Sequence, residues 1–415
     1  MNLQLSKYLQ FATLIIVFIG CSHGPVKTKK EALIKPKKDV RYEDHLEIKS
    51  LQSALKNTIK QLELTATDEL IDYPVSFSMN EYLIFLKHLN MCARTNSEFI
   101  NRVNEVFSPY ITFGKDQFGE ILLTSYYEPL INGSLKKTKK YSTPLYKIPP
   151  NLVEVKLSQF EEALYGPIDT SRKVISAQLI TDNYGNKIVT PLPSRRAIDF
   201  EGALANQKLE IVYVDPIEAF FLHIQGSGRV ILPNGKSFTV GYHAQNGMKY
   251  EPIGKFLKDD IPKEKMSLQS IEEVLRTKFN NKLEEILPLN PSYIFFKKIE
   301  GRARTTLGSE VTDRRTLAVD TGFFNLGLLG HLDYPKLDIT DDGAVEGEER
   351  IQHFVINQDT GGAIKTTGRA DLFWGSGEQG KKVAGHMRHM AKLTYFLPKQ
   401  DALDRIRSGK QLACQ

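Results

Sequence analysis

The apolar residues that follow the basic N-terminal stretch are spaced as on an amphipathic helix. A face with three- and four-residue spacing is formed by Leu51, Leu55, Ile59 and Leu62. The same period predicts a second helix over 78–93 and a third over 97–107. We therefore expect a helical region to precede the rest of the fold.

From Tyr110 onward the period changes to short apolar runs separated by glycine, proline and asparagine turns. Strands are predicted over 121–127, 174–180, 209–214, 229–232, 236–242, 292–297 and 392–397. Helices are expected between them, over 267–279 and 377–390. Many short strands favour barrels over a doubly wound sheet, so the fold class is mainly β with helical N-terminal additions.

Composition sets limits on size and class. The chain has 415 residues, of which 41% are hydrophobic and 25% charged, enough for a packed core and two or more domains. The formal net charge of +6 does not call for a nucleic-acid partner. Besides Cys21, the chain has only Cys92 and Cys414, and two cysteines are too few for a disulfide framework. Whether these two pair cannot be read from the sequence.

The first twenty residues are typical of a signal peptide, because their apolar run is too short to span a bilayer comfortably. The run ends in Phe18-Ile-Gly-Cys21, which resembles a bacterial lipoprotein box and makes Cys21 the expected lipidated residue. Ser22 then points to the outer membrane. The alternative is an ordinary secreted protein with a coincidental cysteine.

A lysine- and proline-rich stretch follows and contains little to bury. We expect residues 21–43 to form an extended, disordered tether between membrane and body. Its positive charge could contact anionic lipid or wall polymer, although a solvated linker is the simpler interpretation.

Two aspartates near the C-terminus are the main candidates for chemistry. Asp359 precedes the paired glycines Gly361 and Gly362, which are further candidates for substrate binding. Asp371 lies inside the predicted strand Arg369-Ala-Asp-Leu-Phe-Trp-Gly375. Flanking aromatic residues would disfavour the charged form of Asp371 and raise its pKa, as a general acid requires near neutral pH. The alternative is a turn acid and a solvated strand acid.

A second dense motif follows Asp215-Pro216 and ends in a glycine-rich turn. Its candidate sugar contacts are Gln225, Gly226, Ser227 and Gly228, because amides and open backbone offer donors and acceptors together. A phosphate-binding loop is disfavoured, because this motif lacks the GK[ST] ending of such loops. A plain β-turn is the remaining alternative.

Aromatic and amide residues elsewhere suit a polysaccharide groove, in which rings pack on sugar faces and polar groups bind hydroxyls. These candidates are Tyr126, Tyr127, Glu128, Asn246 and Tyr250. His386 and His389 have a spacing that can seat a metal on a helix, but no further ligand pattern accompanies them, so we expect no metal. No serine-nucleophile elbow is present.

Taken in order, these motifs resemble the membrane-bound lytic murein transglycosylase A family over roughly residues 120–397. The resemblance includes SYYEP, DPIEAFFLHIQGSGRV and the C-terminal block, which is similar to a domain named for three aspartates, here Asp320, Asp359 and Asp371. Family membership implies a double-psi β-barrel domain with an inserted smaller β-barrel domain and a groove between them. The expected divisions are a signal peptide over 1–20, the lipidated cysteine and tether over 21–43, the helical part of the large domain over 44–129, the inserted barrel over 130–255, the C-terminal part of the large domain over 256–400, and a tail over 401–415.

The resemblance also implies an activity: cleavage of the β-1,4 bond between N-acetylmuramic acid and N-acetylglucosamine in peptidoglycan, with a 1,6-anhydro product. By motif match Asp371 is the single acid/base, Asp359 supports it and Asp320 is architectural. Peptidoglycan glycan strands are then the partner, no cofactor is needed, and the chain would work at the periplasmic face of the outer membrane.

Two other functions stay open on the residues alone. One is a non-catalytic peptidoglycan-binding lipoprotein that kept the groove. The other is a hydrolase in which Asp371 is the acid and Glu128 or Asp359 activates water. The chain also departs from the family pattern at Ser125, where glycine is usual, and by one extra residue between Asp359 and Asp371.

Overall fold

The computed structural model describes residues 26–38, 40–114, 119–160, 174–262, 265–336, 338–339, 345–346, 349–384 and 386–414. The predicted signal peptide and Cys21 lie outside these residues. Among the helices of the described part, none combines the length and the apolar character needed to cross a membrane.

The helices and strands alternate along the whole described chain. The helices are α1 Ile48–Thr65, α2 Met79–Cys92, α3 Asn96–Val106, α4 Arg195–Asp199, α5 Pro216–Gln225, α6 Leu268–Thr277, α7 Leu283–Ile286, α8 Gly377–Ala384 and α9 Gln400–Arg407. The strands are β1 Leu33–Ile34, β2 Leu70–Asp72, β3 Ser76–Ser78, β4 Phe107–Thr112, β5 Glu120–Glu128, β6 Leu130–Ser134, β7 Thr143–Tyr146, β8 Leu152–Lys156, β9 Val174–Thr181, β10 Lys187–Pro191, β11 Glu210–Val214, β12 Ser227–Ile231, β13 Ser237–Gln245, β14 Ile294–Ile299, β15 Thr316–Ala318, β16 Leu329–Pro335, β17 Asp338–Ile339, β18 Val345–Glu346, β19 Arg350–Asp359, β20 Arg369–Ser376 and β21 Arg388–Pro398.

The three predicted N-terminal helices are confirmed as α1, α2 and α3. Helix α2 begins in a capping box, in which the Ser78 hydroxyl accepts from the Glu81 amide at 3.1 Å and Glu81 accepts from the Ser78 amide at 2.9 Å. The apolar faces of all three helices pack into one core with the large sheet. These helices therefore belong to the large domain.

The large sheet closes into a barrel of six strands. Its order is β21-β16-β19-β15-β20-β5, and β5 pairs in turn with β21. Strands β4 and β1 extend the sheet outward from β21. Apolar residues of its strands are almost fully buried, among them Leu317, Leu332, Phe354, Leu372 and Leu393. The observed strands confirm the mainly β fold class.

A second sheet of six strands lies in the order β14-β13-β12-β6-β11-β7, and its first and last strands also contact each other. A separate sheet of three strands has the order β10-β9-β8. The expected end of the inserted domain at residue 255 is wrong, since β14 pairs with β13 and completes this sheet from residues 294–299. The chain passes from the barrel to the second sheet between Glu128 and Leu130 and returns before β15.

Three other predictions need correction. Within the predicted tether, Ala32 and Leu33 are buried and β1 pairs with β4, because two apolar residues suffice to add a short edge strand. The predicted tail instead forms α9, and a Cys92–Cys414 disulfide ties it to α2. The helix expected over 377–390 ends at Ala384, because strand β21 begins at Arg388.

A buried ion pair joins the N-terminal segment to the barrel. Arg315 donates to the two carboxylate oxygens of Asp44 at 2.6 and 3.0 Å, and both side chains are at most 1% exposed. We expect Asp44→Ala to lower the free energy of unfolding by about 3–5 kcal/mol, because the guanidinium would stay buried without its partner. Urea unfolding measures this loss.

The control for that prediction is Glu63→Ala, which removes an ion pair with Lys87 whose side chains are about half exposed. Its cost should stay below about 1 kcal/mol. Equal losses in the two variants would contradict the role given to the buried pair.

Candidate functional site

Strand β15 brings the two C-terminal aspartates together, since it lies between β19 and β20 in the barrel. Its residue Ala318 pairs with Asp359 on one side and with Asp371 on the other. Residues directly opposite in neighbouring strands point to the same face, and two strand spacings separate the acids by about 10 Å between Cα atoms. The two aspartates therefore lie at the same level of the barrel, on either side of β15.

Asp371 has one oxygen held by the protein and one left open. Its Oδ1 accepts from the Thr124 hydroxyl and lies 3.4 Å from Nε of Arg369. Its Oδ2 accepts no hydrogen bond from any residue that the structure describes, and 20% of the side chain is exposed. This open oxygen is available to a ligand.

The apolar surroundings expected for Asp371 differ from those observed. Phe373 is buried and its ring lies 5.2 Å from that of Tyr126, while Trp374 packs toward the barrel core on the other face of the strand. The contacts of Asp371 are the polar ones to Thr124 and Arg369. Side chains alternate along a strand, so sequence neighbours of an acid need not surround it.

Asp359 is the acid whose pKa burial raises. Four hydrogen bonds oppose that effect: Oδ1 accepts from the Thr306 amide at 3.0 Å, the Thr306 hydroxyl at 2.7 Å and the Thr360 amide at 2.9 Å. The fourth comes from the Tyr126 hydroxyl, 2.9 Å from Oδ2. With donors on both oxygens, this carboxylate is fixed in place.

Tyr126 links the two acids. Burial, together with the negative charges of Asp359 and Asp371, raises the pKa of its hydroxyl well above the usual value. The hydroxyl therefore stays protonated and donates a hydrogen bond to Asp359. Tyr126 was predicted to contact sugar, and that stays a prediction; its hydroxyl already donates to Asp359.

Tyr250 lies in the loop between β13 and β14, within electrostatic range of Arg369. Burial raises the pKa of this tyrosine, and the positive charge of Arg369 acts in the opposite direction, so the two side chains lie within electrostatic range. Arg369 itself is anchored on the Ala363 carbonyl at 3.2 Å. A residue of the second sheet's return loop thus lies near the strand that carries Asp371.

Two family models match the chain: the MltA specific insert domain over residues 122–297 and the 3D domain over 315–397. The chain belongs to the membrane-bound lytic murein transglycosylase A family. The Escherichia coli K12 protein of that name is 25% identical over 288 residues, which are 68% of this chain and 66% of the relative. The alignment therefore spans slightly less than two thirds of that relative's length.

Solved structures of the family have the same fold. A membrane-bound lytic murein transglycosylase from Agrobacterium tumefaciens matches with a TM-score of 0.70 and 25% identity, over 86% of this chain and 94% of that one. The E. coli protein with bound chitohexaose matches with a TM-score of 0.64 and 19% identity, over 90% of this chain and 97% of that one. The resemblance seen in the sequence is thereby confirmed.

Two residues of this chain's SYYEP motif make structural contacts and do not face a sugar. Glu128 is 2% exposed and accepts from the Ala303 amide at 3.3 Å and the Ser376 hydroxyl at 2.7 Å. Tyr127 is buried, and its amide donates to Gln225 Oε1 at 3.2 Å. Both residues stabilise the end of β5, where the chain leaves the barrel. The expectation that they contact sugar is therefore wrong.

The glycine-rich turn lies at the end of β5, where the chain leaves the barrel, and we call this place the crossing point. Gly226 ends α5 with a φ of 81°, and a Cβ on Gly228 would come within 2.6 Å of Leu222. The positive φ therefore explains Gly226, and close packing explains Gly228. Ser227 remains partly exposed, and the side-chain oxygen of Gln225 accepts from the Tyr127 amide.

Asn246 is not a sugar contact, because it is 2% exposed and fully occupied. Its Nδ2 donates to the carbonyls of Pro193 and Pro291 at 3.0 Å each, and its Oδ1 accepts from the amides of Tyr293 and Met248. The side chain therefore fixes the loop that carries Tyr250.

The remaining predicted residues have simpler positions. Asp320 accepts from the Gly322 amide at 3.0 Å, which agrees with an architectural role. Neither Gly361 nor Gly362 has a positive φ, so the special backbone expected there is absent. His386 follows the end of α8 and His389 lies on β21, so the two histidines do not share a helix.

Sequence reasoning missed Thr124, Thr306 and Arg369. Arg369 and Thr124 each had a detectable signal, since they precede Asp371 and Tyr126 by two positions on the same strand face. Thr306 had none, because it comes from a loop 53 residues away from Asp359.

A cluster of charges lies beside the crossing point and makes stability depend on pH. Burial, aided by the nearby Asp215 carboxylate, raises the pKa of Glu218 to about 7, against opposing effects of Arg276 and Lys381. The unfolded chain ionises near the ordinary value, so folding stability should fall as pH rises from about 4.5 to 7 and stay low above that. We expect Glu218→Gln to unfold at a higher temperature than the unmodified protein at pH 8.

The matched control is Glu272→Gln on α6. Lys381 and Arg276 outweigh the effect of burial and lower the pKa of Glu272, so its charge is stabilising at pH 8. This variant should unfold at a lower temperature, and thermal unfolding followed by circular dichroism compares all three proteins. A lower unfolding temperature for Glu218→Gln would contradict the prediction.

Proposed function

We propose that this chain is a lipid-anchored lytic transglycosylase of peptidoglycan, with Asp371 as its single acid/base. It cleaves the β-1,4 bond between N-acetylmuramic acid and N-acetylglucosamine and leaves a 1,6-anhydro terminus. The observation that carries the proposal is the partly exposed Asp371 side chain, whose Oδ2 accepts no hydrogen bond from the described residues. We place the glycan beside this oxygen, in the cleft that the family resemblance implies between the two domains. Family membership supplies the reaction class.

In the first step, the protonated Asp371 gives its proton to the glycosidic oxygen as the bond from C1 breaks. In the second, the Asp371 carboxylate takes the proton of the C6 hydroxyl while that oxygen bonds to C1 of the same sugar. The attacking group is intramolecular, so holding the ring in the reactive pucker supplies much of the rate. Thr124 and Arg369 hold Oδ1, which leaves Oδ2 to exchange the proton.

The contacts of the other carboxylates favour this reaction over hydrolysis. A hydrolase needs a second carboxylate that can reach a water or the sugar. Glu128 is buried with both oxygens hydrogen-bonded, and both oxygens of Asp359 already accept from Tyr126, Thr306 and Thr360. Asp359 is better suited to fix Tyr126 and to stabilise positive charge on the sugar ring.

The substrate and location extend the same proposal. A solved relative holds chitohexaose, a β-1,4-linked glycan, so glycan strands are the expected ligand of the cleft here. The relatives are described as membrane-bound, and a lipid on Cys21 would hold this chain at the periplasmic face of the outer membrane. We propose no cofactor.

The test is to incubate the protein with purified sacculi and identify the released fragments by mass spectrometry. We expect fragments lighter by one water than those from a hydrolase. Fragments with a free reducing end would mean hydrolysis. Binding to sacculi without release would favour the non-catalytic lipoprotein.

A further inference from the structure

The lysine-rich segment at the start of the described chain is docked on the barrel. Leu33 and Ile34 pair with Thr112 and Ile111 of β4, and the Phe113 amide donates to the Ala32 carbonyl at 2.8 Å. Just before them, Nζ of Lys29 donates to Asn325 Oδ1 at 2.6 Å. The segment therefore has a defined place on the protein surface.

Five other lysines of this segment are exposed, and we call them the basic band: Lys27, Lys30, Lys35, Lys37 and Lys38. Among the described residues of 26–38, the one acid is Glu31, whose carboxylate accepts from the amides of Lys27 and Thr28. None of the band's ammonium groups forms an ion pair with a residue that the structure describes. The band therefore presents excess positive charge to its surroundings.

The proposed lipid on Cys21 brings this charge close to a bilayer. Five residue steps separate Cys21 from Val26, which limits their separation to about 18 Å even in a fully extended chain. Acidic phospholipids attract lysines that lie within about a Debye length, 8 Å at physiological salt. Along the described chain, the band contains the charged residues that follow the anchor most closely.

We propose that the basic band docks the barrel onto anionic phospholipid headgroups of the membrane that carries the lipid. The catalytic body is then held flat against the bilayer at its β1 edge, instead of moving on a long tether. In the sheet, β1 and β4 lie outside the closed barrel, whereas Asp371 lies on β20 within it. The proposal rests on the proposed lipidation for this distance limit and is independent of the transglycosylase activity.

The test uses protein beginning at Ser22, which lacks the lipid but keeps every described residue. Vesicles of phosphatidylglycerol with phosphatidylethanolamine are compared with vesicles of phosphatidylcholine in a sedimentation assay. The band variant replaces Lys30, Lys35, Lys37 and Lys38 with glutamine. The control replaces four exposed lysines of the small domain in the same way: Lys136, Lys137, Lys139 and Lys140.

We expect the unmodified protein to bind the anionic vesicles and to leave them in high salt. The band variant should bind on the order of 100-fold more weakly. The control variant should bind within about twofold of the unmodified protein, and all three should cleave soluble glycan equally, because neither set of lysines belongs to the cleft.

Three results would overturn the proposal. Equal loss in both variants would mean binding by general charge, and an unchanged band variant would mean that the band has no part in binding. Binding to sacculi that depends on the band, with no binding to anionic vesicles, would assign the band to wall polymer. If none of the three proteins cleaved glycan while the vesicle results were as expected, only the proposed activity would be contradicted.

Discussion

Asp371→Asn should reduce the release of glycan fragments from sacculi by about 1000-fold or more. The amide cannot give a proton to the glycosidic oxygen or take one from the C6 hydroxyl, and both steps of the proposed reaction use this group. Thr124 and Arg369 hold Oδ1 in place, so an isosteric amide should leave the fold unchanged. Initial rates of fragment release measure the effect.

The variant should still bind sacculi and should unfold at the same temperature as the unmodified protein. These two controls separate lost chemistry from lost structure. If the variant retained a tenth of the activity, Asp371 would not be the acid/base, and another group in the cleft would have to transfer the proton.

Asp359→Asn should lower kcat by about 100-fold with little change in KM. Its carboxylate accepts four hydrogen bonds, and an amide would turn an N–H₂ group toward either Tyr126 or Thr306. The substitution removes a fixed negative charge near the ring on which positive charge develops in the transition state. Kinetics on soluble glycan strands separate kcat from KM.

Asp320→Asn is the matched control, because this aspartate accepts from the Gly322 amide at the start of a turn. We expect its kcat to stay within about threefold of the unmodified protein, since an amide oxygen can accept the same bond. A loss at Asp320 as large as that at Asp359 would show that the third aspartate contributes more than local structure.

Much of the fold could be predicted because its signals are local. The helical period of residues 51–62 reflects one buried face, and the strand runs from residue 121 onward reflect alternation and turns. Helix α5 was missed, because its apolar residues are not confined to one stripe: Ile217, Phe220, Phe221 and Leu222 are all buried in two different cores. The burial of Ala32 and Leu33 was not predicted, because the lysines around them indicated a solvated linker.

The acids of the site could be predicted, but their partners could not. Asp359 and Asp371 stand in a recognisable order along the chain, whereas Thr124 meets Asp371 across 247 residues. The same limit explains Asn246 and Glu128. Their residue types suit sugar binding, and only the fold shows that their polar atoms are already paired.

The most direct test of the central claim is to run the reaction on sacculi in water enriched in oxygen-18. The proposed attack by the C6 hydroxyl predicts anhydro fragments that carry no label at the new terminus. Label at a reducing end would mean that water attacks, and it would contradict the assignment of Asp371 as the single acid/base of an intramolecular reaction.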